Sequence, residues 1–251
     1  MKTINDKSIF IDSHCHVNSF EDSDFGYFSE LFAAVDIFEM RPGDLDLATM
    51  NNFRSRGIYV SSGVHPLDVY RFDSIESIDA MLDSMINSVD LIGETGIDVF
   101  KASNLDDQME SLRIHIKYAK FYNKPIIIHC RGNVDVNLLL NELRGTKFVF
   151  HCFGYDLLVA EKVISYGGMV SFSGIVTFPN ALDLQNAAAS IDINYLLCET
   201  DSPFLAPVPL RGRRNKPIYV SYVYEHVTKL RQMQLNDFAE QVKNNFIKFV
   251  G

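Results

Sequence analysis

The sequence predicts a single (β/α)8 barrel, an α/β fold, spanning residues 1–251, and three features support this fold class. Eight short apolar runs, many of them rich in β-branched residues, recur along the chain. Stretches with the apolar spacing of helices separate these runs, and no linker divides the chain. Near-continuous apolar runs are typical of parallel strands that are buried on both faces. Eight such strands alternating with helices over about 250 residues is the pattern of a (β/α)8 barrel.

The eight predicted strands follow one another at intervals that leave room for connecting helices. In chain order they are Ser8–Asp12, Leu31–Phe38, Gly57–Ser62, Val89–Glu94, Pro125–Cys130, Lys147–Cys152, Gly167–Phe172 and Tyr195–Thr200. A doubly wound open sheet is the alternative architecture, but it would usually have fewer strands.

The predicted helices lie between and after these strands. The clearest covers Leu105–Tyr122, where apolar residues recur at steps of three or four. A second covers Val134–Leu143 and is ended by Gly145. The segment from Pro217 to Val250 also has a helical pattern, and we expect it to close the barrel from outside.

Composition and charge limit the kinds of partner that the protein can have. With 47% hydrophobic and 12% aromatic residues, the chain can offset the entropy cost of folding. Its 32 acidic and 23 basic side chains give a formal charge of −9. A protein that coats duplex nucleic acid usually carries a broad basic face instead. An anionic substrate must therefore be held locally, by metal ions or by a few basic side chains.

The sequence also predicts a cytoplasmic location. Its four cysteines form no C-x-x-C pair, and we interpret them as reduced thiols. No apolar run approaches the roughly 18 residues of a membrane span, and the first ten residues have no apolar signal-peptide core. These features predict no membrane partner and leave the oligomeric state open.

Side chains of the types that bind metals occur at the ends of six predicted strands. They are Asp12, His14 and His16 after the first strand, His65 after the third, Glu94 at the end of the fourth, His129 at the end of the fifth, His151 at the end of the sixth, and Asp201 after the eighth. In a barrel the C-terminal ends of all strands meet at one face, where barrel enzymes have their active sites. Imidazoles combined with carboxylates are ligands for divalent ions such as zinc, manganese or magnesium.

The spacing of the first motif supports metal binding. Asp12, His14 and His16 are two residues apart, so an extended chain points all three side chains to the same side. The two imidazoles can then share a metal while Asp12 orients one of them. A single histidine at a strand end is more often a structural hydrogen-bonding group. The inference of a metal site therefore depends on finding side chains of metal-binding types at the ends of six predicted strands at once.

Eight short motifs occur in a specific order and spacing. They are Asp12-x-His14-x-His16, Gly63-Val64-His65-Pro66, Gly93-Glu94-Thr95-Gly96-Ile97-Asp98, His129-Cys130-Arg131, His151-Cys152-Phe153-Gly154, Ser173-Gly174, Glu199-Thr200-Asp201-Ser202-Pro203 and Arg211-Gly212-Arg213-Arg214-Asn215. From Asp12 to about Pro217 the chain resembles the TatD family of metal-dependent deoxyribonucleases, which belongs to the amidohydrolase superfamily.

The resemblance implies a centre of two divalent metal ions, with magnesium, manganese and zinc all possible. It assigns His14, His16 and Asp201 to the first ion, His129 and His151 to the second, and Glu94 to both as a bridge. Two ions suit phosphodiester hydrolysis, because they activate a water and neutralise charge on the transferring phosphorus. Asp201 would also accept the proton of that water, so Glu94 and Asp201 are the predicted catalytic residues.

The resemblance further implies that the enzyme is a deoxyribonuclease that cleaves DNA from strand ends. His65 would contact the substrate phosphate, and Arg131 is a further substrate-binding candidate. Arg211, Arg213 and Asn215 lie just past the eighth strand, near the expected mouth of the barrel. Guanidinium groups bind phosphate through paired hydrogen bonds, which makes this cluster a predicted DNA contact.

Two alternative functions stay open. Gly132 and Asn133 follow Arg131 where relatives often have an acidic residue, and His115 stands where glutamine is common. Because the rim selects the substrate in this family, another phosphoester or a cyclic amide is the first alternative. A non-enzymatic metal-binding or interaction protein is the second, although every predicted ligand type is present.

Overall fold

The protein is described by a computed structural model that covers residues 9–16, 28, 30–43, 46–102 and 104–251. The described residues form one sheet of eight parallel strands, in which each strand pairs with the next in sequence. The strands are β1 (Ile11–Cys15), β2 (Ala33–Glu39), β3 (Tyr59–Gly63), β4 (Leu91–Asp98), β5 (Ile126–Arg131), β6 (Phe148–Phe150), β7 (Met169–Phe172) and β8 (Leu196–Cys198). The predicted (β/α)8 barrel is confirmed.

Eight α-helices connect or follow these strands in the described part of the chain. They are α1 (Leu47–Ser55), α2 (Ile75–Met85), α3 (Leu105–Tyr122), α4 (Val136–Glu142), α5 (Leu157–Ser165), α6 (Leu182–Ser190), α7 (Val220–Arg231) and α8 (Leu235–Val250). Helix α3 coincides with its prediction. Helix α4 begins two residues later than predicted, because the Asp135 carboxylate accepts a hydrogen bond from the Asn137 N–H and caps the helix there. None of the described helices has the length and apolar character needed to cross a membrane.

Strand β1 lies further along the chain than predicted. It starts at Ile11 and runs to Cys15, whereas the prediction covers Ser8–Asp12, of which Ser8 lies outside the described residues. The prediction ends the strand at Asp12, where the polar motif Asp12-x-His14-x-His16 begins. Asp12 and His14 are nevertheless fully buried, and they remain in the strand because the centre of the barrel is polar at this level.

Strand β4 continues to Asp98, four residues beyond the predicted end at Glu94. Its pairing with β5 changes register in the middle of the strand, as at a β-bulge. At Gly96 the φ angle is +142°, and an added Cβ would lie only 2.0 Å from the His129 carbonyl oxygen. The two backbones therefore meet closely beside the Glu94 and His129 side chains.

A short seam between β1 and β8 closes the barrel. The His16 N–H donates to the Ser202 carbonyl at 2.8 Å, and the Asp201 N–H donates to the His14 carbonyl at 2.9 Å. Cys15 and Ser202 form an isolated parallel bridge. These bonds place the backbone of the first histidine motif directly beside Asp201.

Asp12 strengthens this seam, and the prediction that it orients a metal-binding imidazole is wrong. Its two carboxylate oxygens accept hydrogen bonds from the Thr200 N–H at 2.8 Å and the Thr200 Oγ1 at 2.5 Å. Complete burial raises the pKa of Asp12, although the bonds from Thr200 act in the opposite direction. Because both oxygens are engaged by Thr200, the carboxylate positions the chain that leads to Asp201.

The two C-terminal helices cover the seam from outside, as predicted. The Tyr224 hydroxyl of α7 donates to the Ile11 carbonyl and accepts from the Ile11 N–H, both at 3.2 Å. The Asn245 side chain of α8 donates to the carbonyls of Ile193 and Leu196 at 2.6 and 2.9 Å. These bonds connect α7 to β1 and α8 to β8.

We expect Gly96→Ala to destabilise the metal-free protein by about 3 kcal/mol or more, because overpacking and a strained φ each cost about 1–3 kcal/mol. Urea unfolding followed by circular dichroism measures this loss. Gly145→Ala is the matched control, since Gly145 has a φ of +78° but no atom within 4 Å of an added Cβ. We expect this control to lose about 1 kcal/mol. Equal losses in both variants would contradict the close approach of β4 and β5.

Candidate metal centre

Six predicted metal ligands converge at the C-terminal face of the barrel. They are His14 and His16 on and after β1, Glu94 on β4, His129 on β5, His151 after β6, and Asp201 after β8. Their side chains are at most 14% exposed. The cluster borders a cavity of about 600 Å³ that opens at this face.

The Glu94 carboxylate lies at the centre of the cluster, and its two oxygens face different imidazoles. Oε1 is 2.6 Å from Nδ1 of His129 and 2.8 Å from Nε2 of His151. Oε2 is 3.4 Å from Nε2 of His14. We refer to the ligands around Oε2 as the His14 half of the centre and to those around Oε1 as the His129 half. One carboxylate oxygen is therefore available to each half.

The His14 half also contains His16 and Asp201. Asp201 Oδ1 lies 3.6 Å from Nε2 of His14 and 3.4 Å from Nε2 of His16. Burial by itself lowers the pKa of His16, but the carboxylates of Asp201 and then Glu94 outweigh it and raise the pKa to about 9. A proton on the His16 ring compensates the carboxylates in the metal-free protein, whereas burial lowers the pKa of His14. A divalent ion that binds here must displace that proton, so metal affinity falls at low pH.

In the His129 half, a buried carboxylate lies behind each imidazole. Asp98 Oδ2 is 3.2 Å from Nε2 of His129, and Glu199 Oε1 is 3.5 Å from Nδ1 of His151. Each ring thus turns its other nitrogen towards Glu94. This is the usual arrangement of metal-binding histidines, in which an outer carboxylate fixes the orientation of the ring. We call Asp98 and Glu199 the backing carboxylates.

Sequence reasoning missed the role of both backing carboxylates, although both belong to quoted motifs. Asp98 lies four residues after Glu94, and Glu199 lies two residues before Asp201. Burial raises the pKa of Asp98, but the neighbouring His129 and backbone N–H groups outweigh this effect and lower the pKa to about 2. The sequence signal for such a role is an acidic residue close to a predicted ligand. Spacing alone cannot show which histidine ring that residue contacts.

The buried polar atoms of the cluster fit divalent ions. Both ring nitrogens of His14 are buried and have no hydrogen-bond partner among the described residues. A buried polar group without a partner costs about 1–3 kcal/mol. Imidazole nitrogens and carboxylate oxygens form a donor set that zinc, manganese and related ions accept. Three sets of three such atoms lie within 4.8 Å of one another, and they are His14, His16 and Glu94; His14, His151 and Asp201; and His65, Glu94 and His129.

His65 lies beside the His129 half, but its hydrogen bonding favours a donor role. Its Nε2 is 3.5 Å from Glu94 Oε1, and its ring contacts that of His129 at 4.6 Å between centroids. Nδ1 of His65 accepts a hydrogen bond from the Leu67 N–H at 3.1 Å. A neutral ring then carries its hydrogen on Nε2, where it can donate to a substrate oxygen. The phosphate contact remains a prediction.

His115 holds the strand end that carries His65. Its Nε2 accepts from the Val64 N–H at 2.9 Å, and its Nδ1 lies 2.7 Å from the Ser111 carbonyl. His115 is fully buried, and burial lowers its pKa to about 4. The ring is therefore neutral at physiological pH, with one nitrogen accepting and the other donating.

The predicted phosphate-binding arginines lie at different distances from the centre. Arg131 lines the cavity, whereas Arg211 and Arg213 are exposed and do not line it. The Arg211 guanidinium lies over the Phe178 ring, with its carbon 4.4 Å from the ring centroid. These two residues can contact only parts of a substrate that extend beyond the cavity.

The prediction that Asn215 binds substrate is wrong. Asn215 is fully buried, and its Nδ2 donates to the carbonyls of Thr200 and Phe204 at 2.9 and 2.7 Å. Its Oδ1 accepts from the Lys216 N–H. The amide is completely used in holding the chain around Asp201.

Comparison with known families and proteins identifies chains to which this protein is similar. A family model described as "TatD related DNase" matches residues 11–251. The metal-dependent hydrolase YcfH of Escherichia coli K12, whose function is uncharacterized, is 33% identical over 255 aligned positions, which cover 95% of this chain and 94% of YcfH. YabD of Bacillus subtilis, also an uncharacterized metal-dependent hydrolase, is 36% identical over 194 positions and covers 75% of both chains.

Solved structures show the same fold. YjjV, a TatD homologue from Escherichia coli K12, superposes with a TM-score of 0.85 at 24% identity and covers 97% of this chain and 98% of its own. The phosphotriesterase homology protein of Escherichia coli, solved with phosphate in its active site, gives a TM-score of 0.69 at 14% identity and covers 98% and 100%.

We expect Asp98→Asn and Glu199→Gln each to weaken metal binding by about 10- to 100-fold in the His129 half, because outer ligands of this kind typically contribute that much. Titration calorimetry of manganese into metal-stripped protein measures the affinity. Glu142→Gln is the control, since that carboxylate pairs with Arg113 at the surface. If both backing variants bound manganese as the wild type does, the backing role would be excluded.

His115 should make the stability depend on pH. The unfolded chain takes up a proton near pH 6.5, whereas the folded protein resists it until about pH 4. Stability that is fully present above pH 6.5 is therefore lost as the pH falls towards 4, by about 3 kcal/mol. We expect the free energy of urea unfolding to fall more steeply from pH 7 to 4.5 in the wild type than in His115→Gln. Parallel profiles would refute a neutral buried imidazole.

Proposed function

This chain belongs to the TatD related DNase family and is a metal-dependent hydrolase, and we propose that it is a deoxyribonuclease that cleaves phosphodiester bonds at DNA ends with two divalent ions. The observation that carries the proposal is the Glu94 carboxylate, which directs one oxygen at each half of the centre. A carboxylate so placed suits two neighbouring ions, the arrangement that many phosphodiesterases use.

The charge of the centre supports two ions and not one. Glu94 and Asp201 carry two formal negative charges as ligands, and the backing carboxylates Asp98 and Glu199 carry two more. The exposed fraction of these side chains is at most 14%. Buried charges are costly unless they are compensated. Two divalent ions would supply four positive charges and balance the cluster.

The residues around the cavity suit the steps of phosphodiester hydrolysis. Bound divalent ions would polarise the phosphoryl oxygens and lower the pKa of an attacking water. Asp201, the most exposed carboxylate ligand at 14%, is placed to accept the proton of that water. The Nε2 hydrogen of His65 can donate to a phosphate oxygen, and Arg131 can pair with the next phosphate along the strand.

The form of the site favours strand ends. The ligands lie at the floor of a cavity of about 600 Å³, within the range of small-molecule sites. Such a cavity admits a terminal nucleotide more readily than the middle of a duplex. Phosphorus chemistry also agrees with the family description, which is that of a DNase, and with the phosphate in the active site of the phosphotriesterase homology protein.

We also propose a cytoplasmic location. All four cysteines are free, and Cys15 and Cys198 are fully buried. Burial raises the pKa of both thiols, so they are poor nucleophiles. Free thiols are the usual state of cysteine in a reducing compartment.

Metal-stripped protein mixed with end-labelled single-stranded DNA should shorten the DNA only after magnesium, manganese or zinc is added. We expect Glu94→Ala to lower the rate by more than about 100-fold, above the usual effect of an outer ligand, because both halves lose a ligand. Glu142→Gln serves as the control and should cut DNA at the wild-type rate. Gel electrophoresis of the labelled products shows whether digestion starts at an end.

Intact DNA under every ion, with metal bound stoichiometrically, would refute the deoxyribonuclease and direct the search to other phosphoesters or cyclic amides. A Glu94→Ala variant that loses metal yet keeps a protein partner would instead favour a non-enzymatic role. Circular dichroism of this variant checks that it remains folded.

A further inference from the structure

The rim of the cavity has two chemically different sides. Ile175, Phe204 and Leu205, from the loops after β7 and β8, form an apolar side, whereas Lys101 and Arg131, after and at the end of β4 and β5, form a cationic side. We propose that the apolar side binds the unpaired base of the terminal nucleotide and that the cationic side holds the phosphates that follow. The proposal rests on the deoxyribonuclease function proposed above and extends it to the path of the strand.

Phe204 is the main element of the apolar side. Its ring is 57% exposed and lines the cavity, with its centroid 5.9 Å from that of the metal ligand His16 at an angle of 74°. Its backbone is fixed from both sides, since its N–H donates to the Asp201 carbonyl and its carbonyl accepts from buried Asn215. An exposed aromatic ring held beside the ligands is a platform on which a base can stack.

The cationic side is attached to the metal centre. Asp98, which backs His129 through Oδ2, accepts with Oδ1 from the N–H groups of Phe100 and Lys101 at 3.0 and 2.9 Å. The Arg131 guanidinium carbon lies 4.8 Å from the centroid of the Phe100 ring, which is 69% exposed. The loop that carries Lys101 is therefore fixed by the same carboxylate that orients a metal ligand.

Gly132 allows this arrangement. An added Cβ would lie 2.8 Å from Cγ2 of Val99 and 2.9 Å from the nitrogen of Phe100. The loop after β4 thus rests directly against the end of β5.

Among the described residues, no carboxylate forms an ion pair with Lys101 or Arg131. Both cations line the cavity although the whole chain is acidic.

The base-binding side predicts a preference for an intact terminal base. We compare kcat/KM for an oligothymidylate with that for the same strand carrying an abasic tetrahydrofuran unit at both ends. The wild type should prefer the intact strand by about 5- to 100-fold, the range of one base–aromatic stack. Phe204→Ala should abolish this ratio and Phe204→Tyr should restore it.

Phe121→Ala is the matched control, because Phe121 is 80% exposed but lies on α3 outside the cavity lining. It should keep the wild-type ratio. Equal kcat/KM of the wild type for both strands, or a ratio that survives in Phe204→Ala, would overturn the base-binding side.

The cationic side predicts a dependence on strand length. Arg131→Ala should lower kcat/KM more for a decamer than for a dinucleotide, and should reduce the salt slope for the decamer by about 1. Arg144→Ala is the matched control. The Arg144 guanidinium carbon lies 4.3 Å from the centroid of the Tyr166 ring, and Arg144 does not line the cavity. Equal losses of Arg131→Ala on both lengths would overturn the phosphate-binding side.

The experiments distinguish an error in the proposed strand path from an error in the proposed deoxyribonuclease function. If the wild type with bound metal cuts no DNA of any kind, the deoxyribonuclease is refuted and the strand path with it. If it cuts DNA without regard to the terminal base and strand length, only the strand path is refuted.

Discussion

The site depends on one buried carboxylate, that of Glu94, lying between two groups of imidazoles. Its Oε1 faces His129 and His151, and its Oε2 faces His14. Burial alone would raise the pKa of Glu94, but the surrounding histidines hold it well below its usual range. The carboxylate is therefore ionised, and protons on His129 and His151, whose pKa values its charge raises, compensate it in the metal-free protein. Divalent ions would compensate the same charge and add Lewis acidity.

The barrel seam explains how residues far apart in sequence complete this site. Backbone hydrogen bonds from His16 to Ser202 and from Asp201 to His14 place the C-terminal ends of the first and last strands side by side. Asp12 and Asn215 then hold the chain next to Asp201 through hydrogen bonds to Thr200. Buried polar residues near the centre thus divide into ligands and groups that position the ligands, and the second kind connects the centre to its rim.

The sequence is sufficient to predict the fold and the convergence of the six candidate ligands, because buried parallel strands are apolar runs and their polar ends must converge. It could not predict the extent of β1 and β4, since polar residues that are buried around the centre look like loops in a sequence. Nor can the sequence distinguish the buried, positioning role of Asn215 from the exposed position of its neighbours Arg211 and Arg213. The hydrogen bonds of Asn215 to Thr200 and Phe204 form only in the folded chain. Asp98 and Glu199 were missed for the same reason, since each acts through a ring from another strand.

Anomalous diffraction from manganese-soaked crystals tests the central claim most directly. Two divalent ions that share Glu94 should give two anomalous peaks about 3.5–4 Å apart. One peak should lie next to Oε2, His14, His16 and Asp201, and the other next to Oε1, His129 and His151. A single peak at full manganese occupancy, or two peaks of which only one contacts Glu94, would contradict the two-ion centre.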